Sequence, residues 1–518
     1  MTREPTPQPP ATPQQLALQA AAATAPQPTG LVAYRSEGRV LLIGEPLAVT
    51  AALQQLDPGL LAHCLFTSKP PTAPRHLSYQ VCELAEIELT GHLGAFRVDT
   101  PGADPGQPET RFDLVLDLAS PPRLAMPLPP AGYFAPQTPE ALHEALATLP
   151  GLVGRFEKPQ FFDYDPAICA HGASGIAGCR RCLDACPAEA IVSIGERVQV
   201  DPYLCQGGGI CATVCPSGAM TYRYPTAADT LQRVRRMLHA FRTAGGEQPV
   251  LMLHAADHPV TPPDERTLPL ALEELASAGL ELWLGALAYG ARRVALARDP
   301  AMASKVAAAL EEQRGIANAM LQGLGYPAAV HWHQAPEPSE IEGLDPASFA
   351  AQGDKRQNLF LALDHLTRQA PAAASEALLP DGAPLGRVDV AAGCTLCLAC
   401  TSVCPTKALA DGGDRPALRF FEANCVQCGL CVKACPEQVM RLTPRVLYDA
   451  ERRRQPLTLN AEEPFCCVSC GKPFATRSVI EKMQQKLAGH WMYQDEAARR
   501  RLSMCDDCRV ADMMRSAS

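Results

Sequence analysis

"GCTLCLACTSVCPTKAL", residues 393–409, and "NCVQCGLCVKACPEQV", residues 424–439, decide how the rest of the chain is read. Cys394, Cys397, Cys400 and Cys404 precede Pro405, and Cys425, Cys428, Cys431 and Cys435 precede Pro436. Both runs are C-x2-C-x2-C-x3-C-P. Two residues between ligands let the backbone wrap the corners of a cubane with amide N–H groups aimed at its sulfides. Three residues then carry the fourth cysteine away, and proline opens a helix where a missing N–H costs little. The fourth thiolate of such a run ligates the other cluster, so the runs work as a crossed pair. One [4Fe–4S] cluster is expected on Cys394, Cys397, Cys400 and Cys435, a second on Cys425, Cys428, Cys431 and Cys404. Zinc would prefer four ligands in two pairs. Between the runs, "ALADGGDRPALRF" reads as a hairpin turning at Asp411 to Asp414.

An altered copy lies upstream. "ICAHGASGIAGCRRCLDACPAEAI" gives Cys169, Cys179, Cys182 and Cys186 before Pro187, with the first gap stretched to nine residues. "LCQGGGICATVCPSGAM" gives Cys205, Cys211 and Cys215 before Pro216, with Gly208 in place of the second cysteine. Crossed ligation assigns Cys169, Cys179, Cys182 and Cys215 to a [4Fe–4S] cluster. The partner site keeps Cys186, Cys205 and Cys211, the thiolates a [3Fe–4S] cluster requires; a labile [4Fe–4S] cluster or an empty site is the alternative. The long loop is expected to close over a cluster face, with His171 a hydrogen-bond donor or substitute ligand. "IVSIGERVQVD" fits a hairpin between the runs. Arg180 and Arg181 predict that this block is the higher-potential end.

A third block, Cys467-x2-Cys470 and Cys505-x2-Cys508, has the knuckle spacing of a structural zinc site with four thiolate ligands. Gly471 serves the tight turn, Cys466 is a spare, and an iron centre is the alternative. Cys64 and Cys82 read as core residues.

The 22 cysteines of this 518-residue chain thus read as metal ligands rather than a disulfide framework. A net charge of −9 argues against a nucleic-acid partner. No apolar run suits membrane insertion, since "GLELWLGALAYGARRVALA" is broken by Glu281, Gly285, Gly290, Arg292 and Arg293. With no export signal in "MTREPTPQPPATPQQLALQAAAATAPQPTG", a cytoplasmic protein is expected.

The organisation follows as a disordered tail (1–29), a small α/β domain (30–158), a ferredoxin-like module with modified motifs (159–225), a cysteine-free α/β domain (226–345), a Pro- and Ala-rich linker (346–385), a 2[4Fe–4S] ferredoxin module (386–446) and a C-terminal zinc-ribbon-like segment with four cysteine ligands (447–518). In the first α/β domain "RVLLIG", "LAHCLF" and "FDLVLDL" read as strands, and "PLAVTAALQQL" and "TPEALHEALATL" as helices. In the second, "PVLMLH", "LELWLG", "RRVALA" and "AAVHWH" alternate with helices, which predicts a parallel sheet. Neither carries a G-x-G-x-x-G or Walker loop. Arg233, Arg235, Arg236 and Arg242 read as a solvated helix face.

"FDYDPAICAHGASGIAGCRRCLDACP", "LCQGGGICATVCP" and the terminal "CVSCGKPFATRSVIEKM" with "MCDDCRV" resemble a group of large proteobacterial ferredoxin-type proteins (polyferredoxins). Members are typically encoded beside molybdenum formate dehydrogenases and their chaperones. The resemblance implies electron traffic with a formate dehydrogenase. Residues 250–335 also look like the small iron–sulfur subunit associated with methyl-viologen hydrogenases and heterodisulfide reductases, without its cysteines. The leading expectation is an electron carrier or oxidoreductase subunit, since no nucleophile–base pair, nucleotide loop or open zinc site can be argued. A redox-sensing or assembly factor and a flavin-dependent oxidoreductase subunit are the alternatives.

Overall fold

A computed structural model describes the chain outside residues 1–10, 24–29, 72–77, 101–110, 336–338, 373, 414 and 518. It is a mixed α/β structure with two parallel sheets and two small cysteine-rich modules. The first sheet has five parallel strands, in the spatial order Ser78–Val81, Leu61–Phe66, Arg39–Gly44, Leu114–Asp117, Tyr133–Phe134. The central strands are apolar on both faces, as a sheet covered on both sides requires. The helices Pro46–Leu53 and Pro139–Thr148 form where the sequence predicts them. The turn expected to reach Asp414 ends outside the described residues.

The second sheet has four parallel strands in the order Thr267–Leu272, Val250–Ala255, Arg293–Leu296, Val330–Trp332. "LELWLG" is not among them. It opens the helix Leu280–Ala288, every residue of which is buried. A short apolar run buried on all sides has no period that separates strand from helix. The strand taking its place is "TLPLAL", where Pro269 obscures the pattern.

Two further expectations are corrected. Within the stretch read as a disordered tail, Pro13–Ala22 is a helix, capped by Thr12 and Gln15 in a reciprocal box. Its Ala17 and Ala21 are buried in the same core as Leu238 and Phe241 of the helix Ala227–Thr243, because alanine lets two backbones approach closely. Within the stretch read as a linker, Lys355–Arg368 is a helix that buries Leu359, Ala362, Leu363 and Leu366 in that core. Burying such a leucine is worth about 1.5–3 kcal/mol, so these segments are structural. The arginine stripe is also only partly solvated: Arg235 donates to Ser348 O and Arg242 to Tyr289 O.

Each module has the same plan. In the first, the hairpin Ile191–Ile194 with Arg197–Val200 separates the short helices Arg181–Ala185 and Ile210–Val214, and Phe162–Tyr164 pairs antiparallel with Met220–Tyr222. In the second, Leu409–Asp411 with Ala417–Phe420 separates Ala399–Ser402 from Leu430–Ala434, and Gly386–Val390 pairs with Met440–Leu447. The terminal segment holds the hairpin Pro464–Cys466 with Pro473–Thr476, then the helix Arg477–Leu487. No helix among the described residues is long and apolar enough to cross a membrane.

Candidate cluster and metal sites

Backbone conformation distinguishes the cysteine loops. Leu396 and Leu398 flank Cys397 with φ of 55° and 59°, and Gln427 and Gly429 flank Cys428 with φ of 53° and 83°. A leucine held left-handed costs roughly 1–2 kcal/mol. Such turns point successive N–H groups to one side and form an anion-binding concavity. Three residues beyond the last cysteine of each run stands another left-handed residue: Glu189, Gly218, Lys407 and Gln438. This turn brings amides onto sulfur, as in Ala408 N–H to Cys404 Sγ (3.2 Å) and Met220 N–H to Cys215 Sγ (3.3 Å).

Burial and the like charge of neighbouring thiols raise several of the cysteines. Burial, then the like charge of Cys394, Cys397 and Cys435, pushes Cys400 up to about 12. Burial, then the charge of Cys404, Cys425 and Cys179, pushes Cys428 up to about 11. Cys431 is raised by burial and by Cys425, Cys428, Cys404 and Cys400. In the first module burial, then Cys215, Cys179 and Cys169, pushes Cys182 up to about 12. Burial, then Cys205, Cys186 and Cys182, pushes Cys211 well above the ordinary thiol range.

Cavities lie among these thiols. One is lined by Cys186, Cys205, Gly208 and Cys211 among apolar side chains such as Leu128 and Phe162. Another is lined by Cys404, Cys425, Cys428 and Cys431. Crowded, buried thiols resist becoming thiolates, and a cationic iron core removes that penalty. The donor sets fit iron–sulfur clusters.

Three adjacent glycines have different roles. Gly207 and Gly209 are left-handed, at φ of 82° and 71°, and match Gln427 and Gly429. A Cβ on Gly209 would lie 2.6 Å from Ser277 Cα. Gly208, the counterpart of Cys428, has no such constraint: a Cβ there would meet only Pro187 Cγ, at 3.9 Å. Its bareness opens the cavity without serving the turn.

The stretched gap of the first run folds into the miniature hairpin Gly172–Ala173 with Ile176–Ala177, which rests on the second module. Lys433 Nζ donates to Ala177 O at 2.6 Å, and Leu430 lies so near Gly178 that a Cβ there would be 3.0 Å from its side chain. The adjoining Cys179 is the thiol whose charge reaches Cys428. His171 is buried, with Nδ1 against Cys179 O (2.8 Å) and Nε2 against Ser193 Oγ (2.7 Å), so both ring nitrogens have partners other than iron.

Spacing did not reveal Lys355 and Arg356, at the start of the helix capped by Asp354. Lys355 Nζ donates to Ala212 O, Thr213 O and Cys215 O at 2.6, 2.7 and 3.1 Å. Arg356 donates to Pro216 O, Pro384 O, Ala423 O and Cys425 O at 2.8–3.1 Å. Burial lowers Arg356 to about 10, which leaves it cationic at neutral pH. A Lys-Arg pair opening an amphipathic helix is the only sequence signal. Lys158 grips Cys205 O in the same manner, at 2.6 Å.

At the C-terminus one ligand atom each of Cys467, Cys470, Cys505 and Cys508 lies within 4.8 Å of the others. Burial opposes ionisation of Cys467, but the amides of Cys505, Cys470 and Ser469 pull it down to about 6, as a metal-binding thiolate needs. Gly471 adopts φ 76° in the knuckle, and Cys466 is exposed. Cys64 is a buried core residue and Cys82 is half-buried.

Residues 177–219 and residues 393–440 each match a family model described as a 4Fe-4S dicluster domain. The upstream match begins after Cys169, so the stretched gap lies almost wholly outside it. No curated protein matches the chain. The molecule carries two ferredoxin-type 4Fe-4S dicluster domains, a type of domain that supports electron transfer.

Proposed function

We propose that this chain relays single electrons through four centres set in a line across its two modules. The observation that carries the reading is the packing of the two modules on each other: Lys433, between the ligands Cys431 and Cys435, donates to Ala177 O, two residues before Cys179, and the helix Leu430–Ala434 lies on the hairpin strand Ile176–Ala177. The first centre is held by Cys186, Cys205 and Cys211 and takes three irons or a labile fourth. Cys169, Cys179, Cys182 and Cys215 hold the second. Cys404, Cys425, Cys428 and Cys431 hold the third, and Cys394, Cys397, Cys400 and Cys435 the fourth. When bound, the clusters supply one-electron chemistry; the protein supplies ligands, amide donors and dry cavities. Cys467, Cys470, Cys505 and Cys508 hold a structural zinc.

The resemblance of the cysteine blocks to polyferredoxins supports a formate dehydrogenase-type molybdoenzyme as donor or acceptor, in a reducing compartment such as the cytoplasm. Iron, acid-labile sulfide and zinc analysis of anaerobic protein tests the ligand sets. Rapid mixing of such a dehydrogenase with formate and the oxidised chain tests the relay. Cluster bleaching within the enzyme's turnover time is expected, and none on that scale would refute the partner.

A further inference from the structure

The two modules meet where neither ligand motif predicts a contact. On one side the insertion hairpin rests on the second module, where Lys433 Nζ donates to Ala177 O, two residues before Cys179. On the other stands the start of the helix Lys355–Arg368. Lys355 touches the carbonyl of Cys215, from the second centre's ligand set, and the adjacent Arg356 touches the carbonyl of Cys425, from the third's. Consecutive residues thus contact one ligand of each facing centre. Arg181, Lys355 and Arg356 also line a common cleft beside Cys215. Arg180, by contrast, is exposed and pairs with Asp184, so water screens its charge.

We propose that Lys355 and Arg356 are positioning residues for electron transfer between the modules: their charges raise the potentials of the two inner centres, and their carbonyl contacts hold those centres face to face. The inference rests on the relay reading above. A cation beside a centre favours the state with one more electron, and the effect is large where water is scarce. Each cation is one carbonyl away from a ligand residue, whereas the described contacts of Lys355 and Arg356 include no ligand of the two outer centres. The two inner centres are therefore each biased toward the reduced state, as the first centre is by Lys158 at Cys205 O. Passage between the inner centres makes no bond and moves no proton: one centre loses the electron that the other gains, and a redox partner upstream re-reduces the first.

The test is a redox titration of the anaerobic full-length chain followed by electron paramagnetic resonance, with the outer signals assigned through Gly208→Cys and Cys397→Ser. Lys355→Gln should change the oxidised-to-reduced ratio of the second centre about tenfold at fixed potential, equivalent to about 59 mV for one electron. Arg356→Gln should do the same for the third, and neither should move the outer centres. Lys355→Arg and Arg356→Lys should restore most of each shift, because they keep the charge. Variants with full iron and sulfide but unchanged inner potentials would overturn the proposal. So would equal shifts in Arg356→Gln and Arg356→Lys, which would reduce the pair to a structural tie. Should Arg356→Gln lose iron, Lys355→Gln decides, since it removes a single ammonium. Absence of iron and sulfide from the unaltered chain would instead sink the relay reading itself.

Discussion

Replacing Gly208 with cysteine isolates the chemistry of one missing ligand from the mechanics of its loop. The backbone there is not left-handed, and the added Cβ would meet nothing closer than Pro187 Cγ at 3.9 Å, an ordinary contact. The substitution should change stability by no more than about 0.5 kcal/mol. Its thiol would enter the cavity shared by Cys186, Cys205 and Cys211. Gly209→Ala supplies the contrast. It forces a left-handed alanine, costing roughly 1–2 kcal/mol, and sets Cβ 2.6 Å from Ser277 Cα, so the loop must shift as well. Anaerobic iron analysis should show Gly208→Cys gaining one iron per chain. The near-isotropic resonance of an oxidised three-iron centre should vanish, replaced by the rhombic signal of a reduced four-iron one. Gly209→Ala should lose cluster instead of gaining iron. If Gly208→Cys kept the three-iron resonance and its original iron content, the assignment of Gly208 to the vacant corner would be refuted.

Removal of metal from the C-terminal site, by a chelator or by Cys470→Ser, should expose residues 464–517 to protease while the visible absorbance of the clusters persists; metal analysis before treatment should find one zinc per chain. Arg445 forks onto Glu422 at 2.9 and 2.6 Å, both side chains less than a tenth exposed, so Arg445→Met should cost about 3–5 kcal/mol in denaturant unfolding by stranding a buried carboxylate, and Glu422→Gln in the same chain should recover part of it. Glu274 sits at the carboxyl edge of the second sheet, where burial and then Asp257, Glu273 and Asp299 raise it from 4.5 to about 7. Between those values the folded state binds more protons than the unfolded, so stability should fall as pH rises from about 4.5 to about 7. Glu274→Gln should remove that slope in thermal melts, and an unchanged slope would refute the assignment.

The two dicluster segments were legible in the sequence because cluster binding is local: cysteines two or three residues apart must lie on one turn, and spacing records it. Hairpins between the runs were legible for the same reason, since Gly195 marks a short reversal between alternating strands. Longer-range features were hidden. Leu280–Ala288 is buried all round and shows neither period. Pro13–Ala22 and Lys355–Arg368 lie in proline- and alanine-rich stretches whose averaged composition masks a packed helix. Lys355 and Arg356 find acceptors as far as 143 and 140 positions away in sequence, so no local pattern could disclose them.

The nine-residue gap in the first run has a wider meaning for how such chains grow. A ligand loop of fixed length leaves no slack, whereas a glycine-rich insert between two ligands can be shaped freely while both keep their places. Here that slack became a joint: a few small residues turned a spacer into a mortise for the neighbouring module. Assembly of the two modules therefore runs through one short segment, and on the relay proposed above trimming it to the usual spacing would spare both ligand sets yet part the wire.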